Sequence, residues 1–355
     1  MKNNPGSITI RDIAKALKIS VSTVSKALNA SDEISSATKK RVGDYAKAHN
    51  YRPNRFARSL KAGQTSTIGV MVSSFSGSSF LTQALDGIYK AAFTAGYEVI
   101  IMQSFENEEN ERTGLESLLS RNVDGILLDP VSETSNTDYI NHIHETICPV
   151  VVFDRINPGI KTIKVGVNEH MGALEAVTHL GNIGRKRILF ITGDKFGDNN
   201  QRILGYKKAL KQLDIPFNPR YMVQVNLENL DELDSKIKTT VGALRETPIK
   251  PNAIFGATDL ITVRTLGILA EMEVSVPGEI AVTGFANTDL AFALNPALTC
   301  IKQPAKEMGE LAVQKLTELL SLKAKGKKPA GDNQTLLLET SLQIRKSTLI
   351  VAPGK

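Results

Sequence analysis

The chain has almost no cysteine: Cys148 and Cys300, far apart, are the only two in 355 residues. Two isolated thiols suit a reducing compartment and exclude a disulfide framework. No apolar run approaches the roughly 20 residues that cross a bilayer, so no membrane is among the expected partners. The opening MKNNPGSITIRDIAK lacks an apolar h-region followed by a small-residue cleavage site. Secretion is therefore not expected, and the protein is read as cytoplasmic. Catalytic signatures are missing too, with no GxSxG nucleophile elbow and no P-loop. His142 and His144 stand two apart on a predicted helix and so face different sides. No Cys/His cluster completes a metal site. Neither an enzyme nor a cofactor or metal is expected.

What is present is ordinary in bulk and uneven in place. Hydrophobic residues make up 41% and charged ones 23%, as in a globular protein long enough for two or three domains. The net charge of +6 conceals a division. Residues 1–61 hold 13 Lys and Arg against 4 Asp and Glu, whereas the remainder holds 30 against 33. A basic head on a slightly acidic body points to a polyanionic partner; the plainer alternative is a solvated face.

Within the head, Ile10, Ile13, Ala14 and Leu17 follow the i, i+3, i+4, i+7 spacing of one apolar helical stripe. Thr9 and Asp12 form a capping pair at its start. Ser20 caps a second helix with inner face Val24, Ala27 and Leu28, which turns Val21, Ser22, Ser25 and Lys26 outward. A third helix starts at Ser35 and is expected to bury Thr38, Val42, Tyr45 and Ala46. Each helix is expected to fall below the roughly 12–15 residues needed for independent stability, so the three must pack on one another. Two helices across a tight turn, closed by a third, make a helix-turn-helix, which lays its second helix in the DNA major groove. A three-helix bundle with no ligand is the alternative.

The stretches TIRDIAKALKISVSTVSKALN, ATKKRV and YRPNRFARSLKAG resemble the head of lactose-repressor-type (LacI/GalR) transcription regulators, and the likeness runs over nearly the whole chain. One departure is Lys18 at the turn, where the family usually has Gly; a left-handed non-Gly residue costs roughly 1–2 kcal/mol. The resemblance implies that Val21, Ser22 and Lys26 read bases. Ser22 can donate or accept, Val21 can touch a thymine methyl, and Lys26 can reach guanine O6/N7 or only a phosphate. Thr9, Ser20, Thr23, Ser25, Asn29 and Tyr51 suit backbone anchoring. In 53–63, Pro53 stops the third helix, Asn54 can cap another and Gly63 suits its end. By itself that segment reads as a linker. The resemblance implies a hinge helix that forms when two copies meet on DNA, with Asn54 and Arg55 at the DNA and Leu60 wedged into the minor groove.

Beyond residue 64, strand-length apolar runs such as TIGVMVS, DGILLD, VVVFD, RILFITG and IAVTGF alternate with helical patterns. Alternation means parallel sheets with helices on both faces, an α/β body of two similar subdomains. The segment 295–316 resembles the family's return crossing, and the body resembles periplasmic sugar-binding proteins. The expected domains are a helix-turn-helix at 1–52, the hinge at 53–63, the body at 64–345 and a tail at 346–355. Within the body, the first subdomain spans about 64–166 and 296–325 and the second about 167–295 and 330–345.

Ligands bind beyond strand C-termini in such sheets, so the cleft candidates sit there. Ser73, Ser79 and Phe80 follow the first strand, and the Phe80 ring can stack on a sugar or base. Asp154 and Arg202 match family ligand positions, with Asp259 beside another. Asp154 with Arg155 also reads as a surface ion pair, and Asp259 as a helix cap. In GFANTD the family's usual Asp is replaced by Ala286, followed by Asn287. That removes an anchor for sugar hydroxyls and widens the effector class to a modified sugar, an oligosaccharide or another metabolite. The expected protein is a DNA-binding transcription regulator, a repressor, controlled by a small-molecule effector. A solute-binding protein of a transport system is the alternative, and an enzyme on the same fold lacks a catalytic constellation. The closing KSTLIVAPGK is too short for a heptad bundle, which favours a homodimer.

Overall fold

The computed structural model describes residues 8–51, 64–74, 78–131, 136–198, 200–327 and 333–349. The chain divides into two units, Met1–Thr65 and Ser66–Lys355.

The first unit holds three helices: α1 (Ile10–Leu17), α2 (Val21–Leu28) and α3 (Ser36–Ala48). Each is capped by its own sequence. Thr9 Oγ1 accepts from the Asp12 backbone N–H at 3.3 Å, while Asp12 Oδ2 accepts from the Thr9 N–H at 2.8 Å, a reciprocal capping box. Ser20 Oγ accepts from the Thr23 N–H at 3.0 Å and Ser35 Oγ from the Thr38 N–H at 3.3 Å. Lys18 ends α1 in the left-handed region at φ 52°, and the Ile19 N–H then closes back onto the Ala14 carbonyl at 3.1 Å. The turn keeps its geometry without glycine. Ile13, Leu17, Val24 and Val42 meet in the core with Ala14, Ala27 and Ala46; Thr38 and Tyr45 are only half-buried. Burying each larger aliphatic side chain contributes roughly 1.5–3 kcal/mol, which supplies what helices this short lack alone. Arg41 ties the third helix to the first by donating to the Leu17 carbonyl at 2.6 Å.

The second unit is built on two six-stranded sheets. The strands are β1 (Thr67–Val72), β2 (Glu98–Gln103), β3 (Gly125–Leu128), β4 (Val150–Phe153), β5 (Lys164–Val167), β6 (Ile188–Gly193), β7 (Met222–Val225), β8 (Ala253–Gly256), β9 (Ala281–Phe285), β10 (Thr299–Lys302), β11 (Thr335–Leu338) and β12 (Ser341–Gln343). One sheet runs β11-β5-β4-β3-β1-β2, all parallel. The other runs β12-β10-β9-β8-β6-β7, parallel except for antiparallel β12. Central strands read as unbroken apolar runs because both faces are covered. The covering helices are α4 (Ser79–Thr94), α5 (Glu108–Ser120), α6 (Thr137–His142) and α11 (Ala305–Ala324) on the first sheet. On the second they are α7 (Glu169–Asn182), α8 (Gln201–Gln212), α9 (Leu230–Arg245) and α10 (Asp259–Glu271).

Two expected subdomain limits are corrected. Thr299–Lys302 belongs to the second sheet, because β10 pairs with β9 from Thr299↔Thr283 to Ile301↔Phe285. The chain crosses back at the polar Gln303-Pro304 step rather than at the turn signals of Asn295-Pro296. Conversely, Thr335–Leu338 lies in the first sheet, paired with β5, so only the β12 part of 330–345 joins the second. The return helix α11 packs on α4 through two glycines. A Cβ on Gly309 would stand 2.2 Å from the Ala84 carbonyl oxygen, and one on Gly87 would stand 2.1 Å from that of Lys306.

Candidate functional site

On the head, Val21, Ser22 and Lys26 are exposed on the side of α2 away from its buried Val24 and Ala27. Ser20 Oγ shares hydrogen bonds with Ser22 Oγ and Thr23 Oγ1, both at 2.7 Å. The Lys26 ammonium pairs with Glu33 in the turn after α2. Thr9 Oγ1 donates to Asp12 Oδ2 at 2.6 Å, so its hydroxyl belongs to the cap. Ser25 is half-buried, Asn29 caps the end of α2, and Tyr51 packs against the head core. Asn54, Arg55 and Leu60 lie outside the described residues.

On the body, charged side chains from both sheets gather where strands end. From the first sheet come Asp129, just after β3, and Asp154 and Arg155, just after β4. Arg155 donates to both Glu106 oxygens, Nη2 to Oε1 at 2.6 Å and Nη1 to Oε2 at 2.8 Å, and its Nε lies 3.8 Å from Asp129 Oδ1. Bidentate geometry makes this the stronger kind of ion pair. Asp154 holds a left-handed backbone at φ 64°, a conformation that aspartate tolerates and that clusters at functional sites. Burial and the nearby Asp129 charge push its carboxyl up to about 7, with Arg155 and Arg202 pulling back and Glu169 adding to the push. Burial likewise raises the Asp129 carboxyl against the pull of Arg155 and Ser73. Burial pushes Glu106 up as well, but Arg155 outweighs it and holds that carboxyl below its usual value.

The second sheet contributes Arg202, in the first turn of α8. It donates Nη1 to the Ala257 carbonyl at the end of β8 and Nη2 to Glu169 at the start of α7. Its guanidinium carbon lies 4.2 Å from the centre of the Phe285 ring. Asp259 follows the capping Thr258 on α10 and is therefore not itself the cap. Burial raises its carboxyl, against the amides of Asn287 and Thr288 and the Ser79 hydroxyl. None of these meets strict hydrogen-bond geometry, and both Asp259 oxygens are buried without a partner. Ser79 from the first sheet's helix and Asp259 from the second thus face each other.

Three cleft candidates have other duties. Phe80 is 8% exposed and packs among Ile68, Val70 and Met308, so its ring is not free to stack on a ligand. Asn287 is a latch: Nδ2 donates to Gln83 Oε1 at 3.0 Å and to the Gln303 carbonyl at 2.8 Å, while Oδ1 accepts from the Gln303 N–H at 3.0 Å. A carboxamide so saturated joins the subdomains rather than facing a ligand. Ser73 is buried and donates Oγ to Asp129 Oδ2 at 2.7 Å, orienting that carboxylate. Sequence reasoning passed over Asp129, Glu106, Glu169 and Gln83. Asp129 ends the run DGILLD, and Glu106 and Glu169 follow β2 and β5 by three and two residues, so the strand-end rule would have reached all three; Gln83, inside α4, carries no such signal. Among the described residues, no group of three or more His, Cys, Asp or Glu side chains is arranged to hold a metal ion. Among the same residues, no helix is long and apolar enough to cross a membrane.

A helix-turn-helix head followed by a two-sheet binding body defines the class, a DNA-binding transcriptional regulator. Comparison with known proteins agrees. Residues 9–54 match the bacterial regulatory proteins of the lacI family, and residues 177–348 a periplasmic binding protein-like domain. The chain is 30% identical over 341 residues to the ribose operon repressor of Escherichia coli (strain K12), covering 96% of this chain and 99% of that one. It is 28% identical over 343 residues to catabolite control protein A of Priestia megaterium, at 96% and 99% coverage. The lac repressor dimer bound to operator and the anti-inducer ONPF shares the fold, with a TM-score of 0.83 at 24% identity, covering 97% of this chain and 100% of that one. The chain belongs to the lacI family.

Proposed function

We propose that the protein is a cytoplasmic repressor that binds a pseudo-palindromic operator as a homodimer and is governed by a small polar effector. The observation that carries this is the capped helix α2 with Val21, Ser22 and Lys26 turned outward on a basic head. Val21 and Ser22 suit base edges, and Thr9, Ser20, Thr23, Ser25, Asn29 and Tyr51 suit the backbone. Asn54, Arg55 and Leu60 are proposed as hinge contacts on the same DNA. Exposed Tyr89 and Phe93 on α4, with Ile101 and Phe105 at edge strand β2, offer apolar surface for a second copy.

Arg202, Asp154, Asp259 and Ser79 are proposed as the effector contacts, drawn from both subdomains. Closure of the subdomains around a ligand supplies the two-state element that regulation requires. The test is duplex binding across a salt series, with and without residues 1–63. Steep salt dependence in the full chain, lost in the shortened one, supports the reading. Binding that survives removal of the head refutes it. A thermal-shift screen of metabolites, repeated with DNA from upstream of its own gene, then finds the effector and the sign of its action.

A further inference from the structure

Lys26 and Glu33 are joined on the outward surface of the head, Lys26 Nζ donating to Glu33 Oε2 with side chains 44% and 68% exposed. Lys26 shares the outward side of α2 with Val21 and Ser22, while Glu33 lies in the turn seven residues on. The head's other described acids are placed differently. Asp12 serves the α1 cap, Asp32 lies 4.0 Å from Lys39, and Asp44 is on α3. A carboxylate on a surface built to meet phosphates weakens their attraction, and an exposed ion pair contributes little to stability. The hydrogen bond from Lys26, and then its charge, hold the Glu33 carboxyl below its usual value.

We propose that Glu33 is a specificity-determining residue that holds the Lys26 ammonium off the phosphate backbone, so that the two side chains together read one G·C pair. Lys26 donates to guanine O6 and N7, and Glu33 accepts from the cytosine N4 amino group. These edges are neighbours within one base pair, as the two side chains are neighbours on the protein. A lysine alone serves a phosphate as readily as a guanine, because its ammonium is a flexible point charge. Tethering to Glu33 biases the ammonium away from the phosphates and toward the base edge. The inference rests on the DNA-binding reading of the head.

The experiment uses the full chain in four forms: unaltered, Glu33→Gln, Lys26→Gln and both together. Each selects from a randomised duplex pool, then is titrated with its selected duplex and with a random-sequence duplex between about 50 and 200 mM KCl. Glu33→Gln should bind the random duplex more tightly, with a log–log salt slope steeper by about 0.9, one more phosphate contact. It should lose preference at one G·C position, lowering the specificity ratio roughly 5-fold or more. In the Lys26→Gln background, Glu33→Gln should leave the salt slope unchanged. Unaltered selection and slope in Glu33→Gln would overturn the proposal. An equal slope change with Lys26 already gone would overturn it too, since Glu33 would then be a plain repulsive charge. If the unaltered chain selects no sequence at all, the DNA-binding reading falls and this inference with it.

Discussion

Gly309→Ala is a single-methyl change whose sign is set by packing. Inside a helix, replacing Gly by Ala ordinarily stabilises by about 0.8–1.0 kcal/mol. At Gly309, in the second turn of α11, the new Cβ would lie 2.2 Å from the Ala84 carbonyl oxygen and 3.0 Å from the Ile88 nitrogen. Both are backbone atoms of α4, so no side chain can swing aside. The helices must separate by about 1 Å, and overpacking of this kind costs typically 1–3 kcal/mol, sometimes more. A Cβ on Gly267, inside α10, would meet nothing within 4 Å beyond its own helix. Gly267→Ala is therefore the control, with the same chemistry and an expected gain approaching 1 kcal/mol. Urea unfolding of the two variants should move the midpoint in opposite directions, down for Gly309→Ala and up for Gly267→Ala. The first should also weaken the Gln83–Asn287 latch, because Gln83 sits on the displaced α4. Midpoints that rise together would refute the argument from close helix contact.

Arg202→Ala should abolish effector binding in calorimetry and also lower stability, by about 1.5–3 kcal/mol for each charged hydrogen bond lost at Glu169 and Ala257; unchanged effector affinity would make Arg202 purely structural. Asp154→Asn tests the raised carboxyl. A folded-state pKa of about 7 means the native protein holds this proton after the unfolded chain has released it. Asp154 therefore subtracts stability progressively as pH rises from roughly 4 to 7, with no further change above. Thermal melts of the Asn variant should show a flatter decline than the unaltered chain over that window, and parallel curves would count against the raised value. Leu60→Ala should weaken operator binding strongly, leave non-specific binding nearly unchanged and reduce the bend in gel-phasing assays, because an apolar wedge acts only where a base step is opened. A variant that still bends and binds the operator like the unaltered chain would leave residues 54–62 a plain linker.

Much of this architecture could be read from residue order. The stripe Ile13, Ala14, Leu17 and the caps Thr9, Ser20 and Ser35 report local geometry, which the sequence carries directly. The strands without a clear sequence signal, β5, β10, β11 and β12, have three or four residues each, and the last two lie at sheet edges with half or more of their residues exposed. Their assignment depends on pairing partners far away in the chain, which no local pattern encodes. The cleft divides the same way. The positions of Asp154 just after a strand and of Arg202 at a helix start could be read from residue order, whereas Gln83 meets Asn287 only because of how α4 lies against the second subdomain. Phe80 misled because the position after a strand says nothing about which way a ring turns.

The order in which the chain visits its two sheets has a consequence for synthesis. The helix-turn-helix is complete by residue 51, from contacts that are all local. Neither sheet of the body can close so early. The first lacks its edge strand until residues 335–338 have been made, and the second lacks β12 until residues 341–343. Domains fold as units and N-terminal first during translation, so the head takes shape on the ribosome while both halves of the sensor wait for the same short stretch near Leu338. A chain interrupted anywhere between would carry a reader of DNA with no regulator attached. Premature termination in this protein thus separates the module that meets DNA from both its regulation and the apolar surface of α4 and β2 proposed to pair two copies.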